Sequence, residues 1–299
     1  MPCNGPGVGC VILKSAHAAC GECPEQAHGY CQSDAVKVQH AYPLKIIIPQ
    51  YANQSNCKWI YPVTFGGGLV GGDHINLDIM IGCHCCGLVT STESLKIYKC
   101  DDNTVTRQTA RYTVEDHSLL CVIADPVVCF RESNFIQDQV IRMTSQSNVV
   151  FLDWTLGGRV SLDELWTFQS YTTKLSIYVD GRLVLKESSQ LKDTPFQSVV
   201  QSMGVYQVTG FCVVLGTQVK HVTQHLHELY GKPYNIGDKM HTDVICTISP
   251  LSYTVNNTQI AGCYVRFLAA STNKAYSLVR QMIEPLTEVL GGEPLNRTG

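Results

Sequence analysis

Charge is scarce in this sequence. Asp, Glu, Lys and Arg make up only 16% of the 299 residues, and the net charge is −3. Surfaces that bind nucleic acid need an excess of Lys and Arg, so this composition excludes a nucleic-acid partner. No apolar run approaches the roughly 20 residues that span a bilayer, and the N-terminal MPCNGPGVGC lacks the features of a secretory signal. We therefore expect a cytoplasmic protein without membrane contact, whose thinly charged surface favours stable protein partners.

Catalytic signatures are also missing. The sequence has no G-x-S-x-G nucleophile elbow and no phosphate-binding P-loop. Residues 66–71 contain a literal G-x-G-x-x-G, but a dinucleotide site needs a helix directly after it, because the helix N-terminus holds the pyrophosphate. Here residues 75–81 alternate between apolar and polar side chains, which is typical of a strand. We expect no enzymatic activity.

The most distinctive stretch is residues 59–81, WIYPVTFGGGLVGGDHINLDIMI. Aromatic and β-branched residues before the glycines, and alternation after them, predict two strands. Five glycines lie between these strands: Gly66, Gly67, Gly68, Gly71 and Gly72. Such a run permits positive φ, a bulge or the close approach of another segment, so we interpret it as a structural motif. Asp73, directly after the run, is the first ionised group that this turn offers.

The remaining pattern predicts a single, mainly β domain over residues 1–299, without an internal linker. The clearest hairpin spans residues 174–187, where Asp180–Gly181 separates two alternating runs. Only two segments, both late in the chain, have helical periodicity: residues 217–230 and 273–290. We expect Pro285 to kink or divide the second of these helices.

The chain contains 15 cysteines, an odd number without a secretion signal. This predicts reduced thiols, several of them small buried core residues. Residues 15–33 form a Cys/His-rich insertion in the first hairpin, and four of its residues have the spacing of a zinc knuckle with a shortened last gap: Cys20, Cys23, His28 and Cys31. Four such ligands can satisfy tetrahedral zinc, so zinc is possible at residues 20–31. The alternative is a reduced, flexible insertion that binds no metal.

Two other groups contain metal-binding residue types. On a strand, residues 83–86 (CHCC) would alternate between opposite faces, so four ligands converge only if the backbone turns there. Small apolar cysteines between strands are the simpler interpretation. His221, His225 and Glu228 share one helix face, but HVTQH lacks the Glu that serves as the general base of a metalloprotease. We interpret that face as solvated or partner-facing.

Several blocks occur together in one order along the chain. They are YPLKIIIP ending at residue 49, GGGLVGGD at 66–73, LVTSTESLKIYK at 88–99, DPVVCF at 125–130, GGRVSLDE at 157–164 and AGCYVRFLA at 261–269. This order and spacing resembles the UreD family of urease accessory proteins, also called UreH, from about residue 7 to the C-terminus. The block GGGLVGGD is distinctive for that family.

The resemblance implies a fold of stacked β-sheets, wound in a right-handed, helix-like way, with two α-helices late in the chain. It implies a non-catalytic protein that binds a UreF-type accessory protein and, through it, the UreG-type GTPase that carries nickel. The assembly would dock on apo-urease, and nickel would reach the urease active site along an internal, water-filled passage. No tightly bound cofactor is expected, since nickel would be in transit.

A passage of this kind needs weak, exchangeable oxygen contacts, because tight ligands would trap the ion. Three carboxylates are the candidates for these contacts: Asp73, Asp78 and Glu164. Each also has an ordinary structural interpretation, in which Asp73 caps a turn, Asp78 faces solvent and Glu164 pairs with Arg159 of the GGR motif. The alternative function is an independent zinc- or nickel-binding metalloprotein, such as a metal-dependent hydrolase that uses the Cys/His clusters.

Overall fold

The computed structural model describes residues 5–15, 29–50, 55–101, 104–232 and 243–295. It forms a β-solenoid of about four turns, with 50% strand, 16% helix and helices only late in the chain. The mainly β architecture expected from the sequence is therefore confirmed. No helix in these ranges is both long and apolar enough to cross a bilayer.

Seven strands form the smaller sheet, in the order β15-β14-β12-β9-β6-β1-β2. Their bounds are β1 Val8–Ser15, β2 Ser33–His40, β6 His74–Ile81, β9 Thr106–Val114, β12 Asn134–Met143, β14 Ser170–Val179 and β15 Arg182–Leu191. The four consecutive strands from β6 to β14 pair in parallel, whereas the hairpins β1–β2 and β14–β15 are antiparallel. The parallel pairing means that each coil of the chain lies directly beside the previous one.

Eleven strands form the larger sheet, whose main path is β17-β18-β16-β13-β10-β7-β4-β3, with the short strands β5, β8 and β11 beside it. Their bounds are β3 Leu44–Ile47, β4 Lys58–Thr64, β5 Gly68–Leu69, β7 Cys86–Val89, β8 Leu95–Ile97, β10 Leu119–Val122, β11 Val127–Cys129, β13 Asn148–Leu156, β16 Val208–Leu215, β17 Val244–Val255 and β18 Thr258–Ala269. Each solenoid coil crosses from one sheet to the other. Consequently, residues far apart in sequence meet both between the sheets and at the turns.

Two apolar clusters stabilise this arrangement. The first lies between the sheets and includes the inward residues of β6, which are Ile75, Leu77, Ile79 and Ile81. The second lies on the other face of the larger sheet, under the late helices α2 Lys220–Tyr230, α3 Thr272–Ile283 and α4 Thr287–Leu290. A shorter helix, α1 Val199–Met203, packs against the first cluster. The larger sheet is therefore buried on both faces.

Two local predictions are confirmed. Asp180 and Gly181 both have positive φ in the predicted turn, which joins β14 to β15. The predicted last helix is divided at Pro285, since residues Glu284–Leu286 form a 3-10 turn between α3 and α4.

Residues 34–49 and 87–99 each contain two strands separated by a break. The first turns at Ala41, whose carbonyl oxygen accepts a hydrogen bond from the Leu44 amide at 3.0 Å. The second bends between β7 and β8, at a corner of the solenoid. The sequence does not predict the short helix α1, because five residues are too few for a periodic signal.

Candidate functional site

A cavity of about 140 Å³ lies between the two sheets. Besides apolar side chains, its wall contains polar residues from both sheets and the loops beside them: Thr64, Thr90, Ser91, Thr92, Glu93, Ser94, Gln108, Asp125, Gln137, Gln139 and Asp153. A single water molecule needs only about 10–15 Å³ of such volume. The cavity therefore has room for several waters or a hydrated ion in an interior that is otherwise apolar.

Strand alternation places the polar groups inside. On β12 the buried residues are Phe135, Gln137, Gln139, Ile141 and Met143, so two amides point inward between apolar neighbours. On the facing strand β13, Asp153 interrupts a completely buried run. We did not single out these residues from the sequence. The available signal was a carboxylate within VVFLDW and two glutamines on the core-facing side of an alternating strand.

Asp153 is the most deeply placed charged residue of the cavity wall, with a relative exposure of 6%. Its Oδ2 accepts hydrogen bonds from Thr173 Oγ1 at 2.6 Å, Gln137 Nε2 at 3.2 Å and Gln139 Nε2 at 3.5 Å. Burial raises the pKa of this carboxyl to about 6, and the hydrogen bonds from Thr173 and Gln137 offset only part of that effect. Asp153 is thus a buried carboxyl of the cavity wall whose pKa is raised to about 6.

The opposite part of the wall connects the cavity to the helices. Asp125 Oδ2 accepts from Ser91 Oγ at 2.9 Å, and its Oδ1 accepts from the Tyr276 hydroxyl of α3 at 2.7 Å. Nearby, Thr90 Oγ1 is buried and has no hydrogen-bond partner within the structure. Buried hydroxyls are normally satisfied, so this atom indicates that the cavity holds water or another polar guest.

The glycine run forms a corner beside the cavity. Gly66, Gly67 and Gly72 have positive φ, and Gly67 contributes to the cavity wall. Gly68 lies against the backbone of Lys96, where a Cβ would overlap the carbonyl oxygen. The Tyr98 hydroxyl donates to the Gly66 carbonyl oxygen at 3.2 Å. Close contact between consecutive coils therefore depends on the absence of a side chain here.

Neither aspartate predicted from this region lies in the cavity wall. Asp73 closes the glycine turn, since its Oδ2 accepts from the Val70 amide at 2.9 Å. Asp78 is on the outer face of β6, with its Oδ1 3.7 Å from Arg111 Nη1. Their contact with nickel stays a prediction.

Glu164 also lies outside the cavity wall. It accepts two hydrogen bonds from Arg159, at 2.8 Å from Nε and 2.6 Å from Nη2. The Arg159 hydrogen bond holds the pKa of Glu164 below its usual value. The Arg159 guanidinium lies 4.2 Å from the centroid of the Phe130 ring. In this structure the Arg159–Glu164 pair stabilises one corner of the solenoid. A role of Glu164 in nickel transit stays a prediction.

The predicted zinc-like site falls mostly outside the described residues, which do not include Cys20, Cys23 or His28. Cys31 is buried and disulfide-bonded, so it does not offer a thiolate in this structure. This differs from the expectation of reduced thiols throughout. Eleven other cysteines in the described ranges are not disulfide-bonded, and all except Cys83 are buried.

The other two predicted groups are separated by the fold. The backbone turns at residues 82–85, but Cys85 and Cys86 face the interior, while Cys83 and His84 stay near the surface. On α2, His225 Nε2 lies 2.8 Å from the Gln281 carbonyl oxygen, so this ring joins α2 to α3. Within the part of the chain that the structure describes, no three His, Cys, Asp or Glu side chains are arranged to hold a metal ion.

These features define a β-solenoid protein with a polar internal cavity, and comparison with known proteins gives the family. The family model for UreD urease accessory protein matches residues 26–298. The chain is 28% identical to urease accessory protein D of Arabidopsis thaliana over 285 residues, covering 88% of this chain and 95% of the plant protein. It is 28% identical to urease accessory protein UreD of Sorangium cellulosum over 255 residues, covering 85% and 76% of the two chains. The chain belongs to the UreD family.

Proposed function

We propose that this protein scaffolds urease maturation and conducts nickel through its interior. In this proposal it binds a UreF-type accessory protein, and through it a UreG-type GTPase, on apo-urease. The observation that carries the proposal is the polar cavity between the sheets, with Asp153, Asp125 and the unpartnered Thr90 hydroxyl in its wall. The family membership of the chain supports a role in urease maturation.

The oxygen ligands of the cavity wall suit transient rather than tight binding of nickel. Carboxylate, amide and hydroxyl oxygens bind nickel less strongly than a cluster of imidazoles and thiolates would, and several oxygens can replace its water ligands one at a time. Asp153 supplies negative charge at the centre of the wall, and Gln137 and Gln139 supply neutral dipoles beside it. A wall of this kind lowers the free-energy cost of moving the ion from water into the cavity, but does not bind it tightly enough to trap it.

The test compares two sets of carboxylates in cells that express urease with all its accessory proteins. Asp153→Asn removes the most deeply buried carboxylate of the cavity wall, whereas Asp73→Asn combined with Asp78→Asn removes two carboxylates that were predicted from the sequence and lie outside the wall. We expect the first variant to lower the nickel content of purified urease severalfold, while its complex with the partners remains intact. Cells without this protein give the baseline.

Two results would count against the proposal. If urease acquires normal nickel with Asp153→Asn, the interior carboxylate has no part in transit. If urease fills equally well without this protein, the chain has no part in maturation at all.

The alternative, an independent metalloprotein, needs a tightly held metal. The described residues do not favour it, because no three metal-type side chains converge among them and the accessible cysteines are few.

A further inference from the structure

A corner of the solenoid brings together two histidines that are distant in sequence. His84 lies in the turn between β6 and β7, and His117 lies in the turn between β9 and β10. Their rings stack, with centroids 5.0 Å apart and planes inclined by 23°. This separation is close to the spacing of neighbouring strands, about 4.8 Å. The pairing therefore follows from the stacking of consecutive coils.

The backbone gives both rings the same orientation. His84 and His117 have φ values of 58° and 56°, in the left-handed region that is unusual for residues other than glycine. The two turns are also joined directly, since the His84 amide donates to the Asp116 carbonyl oxygen at 3.1 Å. In the next coil, the corresponding position in the turn is Gln146, so the stack of imidazoles does not extend beyond His117.

The surroundings of the rings attract cations. Cys83 is the only exposed cysteine among the free cysteines of the described residues. Its Sγ donates to Glu115 Oε2 at 3.3 Å, and its amide donates to the same oxygen at 3.1 Å. Asp116 is exposed beside His117. Two imidazoles, a thiol and two carboxylates therefore lie in two adjoining turns, where Cys83, Asp116 and His117 are exposed and His84 and Glu115 are half-buried. Imidazole is a good ligand for nickel, copper and zinc.

We infer that His84 and His117 together bind a divalent transition-metal ion of the nickel, copper or zinc class, reversibly and at the surface. The stacked rings do not yet converge, so each must turn about its side-chain bonds to direct one nitrogen at a shared ion. Water fills the remaining coordination positions, with Glu115 beside them. Two protein ligands give a weak, exchangeable site, which agrees with the absence of any three-ligand cluster in the described ranges.

The test measures binding of Ni²⁺ alone to the purified full-length protein by titration calorimetry. Asn accepts left-handed backbone conformations, so His84→Asn and His117→Asn keep both turns intact. We expect each substitution to weaken binding at this site several-fold and the double substitution to abolish it. Because a ligand of the folded state stabilises it, Ni²⁺ should also raise the melting temperature of the wild-type protein more than that of the double variant.

Two controls identify the source of any binding. His221→Asn removes an exposed imidazole from α2, and Cys20→Ser with Cys23→Ser removes the leading cysteines of the insertion. We expect both to retain the His84–His117 site. The inference is overturned if the double histidine variant binds Ni²⁺ like the wild type, or if only a control variant loses binding. The site does not depend on the proposed function, because its readout requires neither urease nor Asp153.

Discussion

At the scale of single residues, Gly68 is the most closely packed glycine of the run at residues 66–72. A Cβ at this position would overlap the Lys96 carbonyl oxygen and lie 2.7 Å from Tyr98 Cε2. By contrast, Gly66 has φ of 81° with no atom within 4 Å of an added Cβ. We expect Gly68→Val to lower the free energy of unfolding by about 1–3 kcal/mol or more. Gly66→Ala, the control, should cost about 1 kcal/mol. Equal losses in urea unfolding would contradict the close packing of the coils.

Asp153 predicts a specific dependence of stability on pH. Its pKa is about 6 in the folded protein, against an ordinary value of 3.8. Between these values the folded state holds more protons than the unfolded state, so its stability falls as pH rises from about 4 to about 6. Above that range the cost is constant, on the order of 2–3 kcal/mol.

The measurement is urea unfolding of the wild type and Asp153→Asn at several pH values. The amide does not ionise, so the variant should gain stability relative to the wild type as pH rises through this window. If the difference between the two proteins is the same at pH 4.5 and pH 7, then burial does not perturb this carboxyl.

At the scale of elements, α3 is joined to the cavity wall by one hydrogen bond between side chains. The Tyr276 hydroxyl donates to Asp125 Oδ1 at 2.7 Å. Hydrogen bonds to charged groups contribute about 1.5–3 kcal/mol, so Tyr276→Phe should lower the free energy of unfolding by that amount while the ring packing stays intact. Tyr178→Phe is the matched control, because the structure gives its hydroxyl no hydrogen bond among the described residues. A similar loss in both variants would show that the bond to Asp125 is unimportant.

Elements with local signals could be predicted from the sequence, and those set by distant contacts could not. The hairpin turn at Asp180–Gly181 and the helix break at Pro285 could be predicted, because each follows from the backbone preferences of the residues themselves. The parallel pairing of β6, β9 and β12 depends on contacts between residues about 30 positions apart, as in the pair His74 and Arg107. The same coiling places His117 beside His84 and Gln137 near Asp153, and no spacing rule within one segment identifies such partners.

At the scale of the whole molecule, we expect apolar packing, rather than a bound ion, to stabilise the fold. The two apolar clusters cover both faces of the larger sheet. Metal-dependent domains usually lack such cores and unfold when the metal is removed. In the described part of this chain, no three His, Cys, Asp or Glu side chains are arranged to hold a metal ion. We therefore expect the folded state not to require a bound ion, so that any metal is cargo.

This distinction predicts the effect of a chelator. Incubation of the full-length protein with excess EDTA, followed by dialysis, should leave its circular dichroism spectrum and melting temperature unchanged. An ion bound only at the His84–His117 corner would be removed without loss of structure, because neither ring is part of the two apolar clusters. Unfolding on chelation, reversed by zinc but not by magnesium, would instead support the independent metalloprotein. Such a result would point to a metal site in the Cys/His-rich insertion, because the sequence predicts a zinc-like ligand set there.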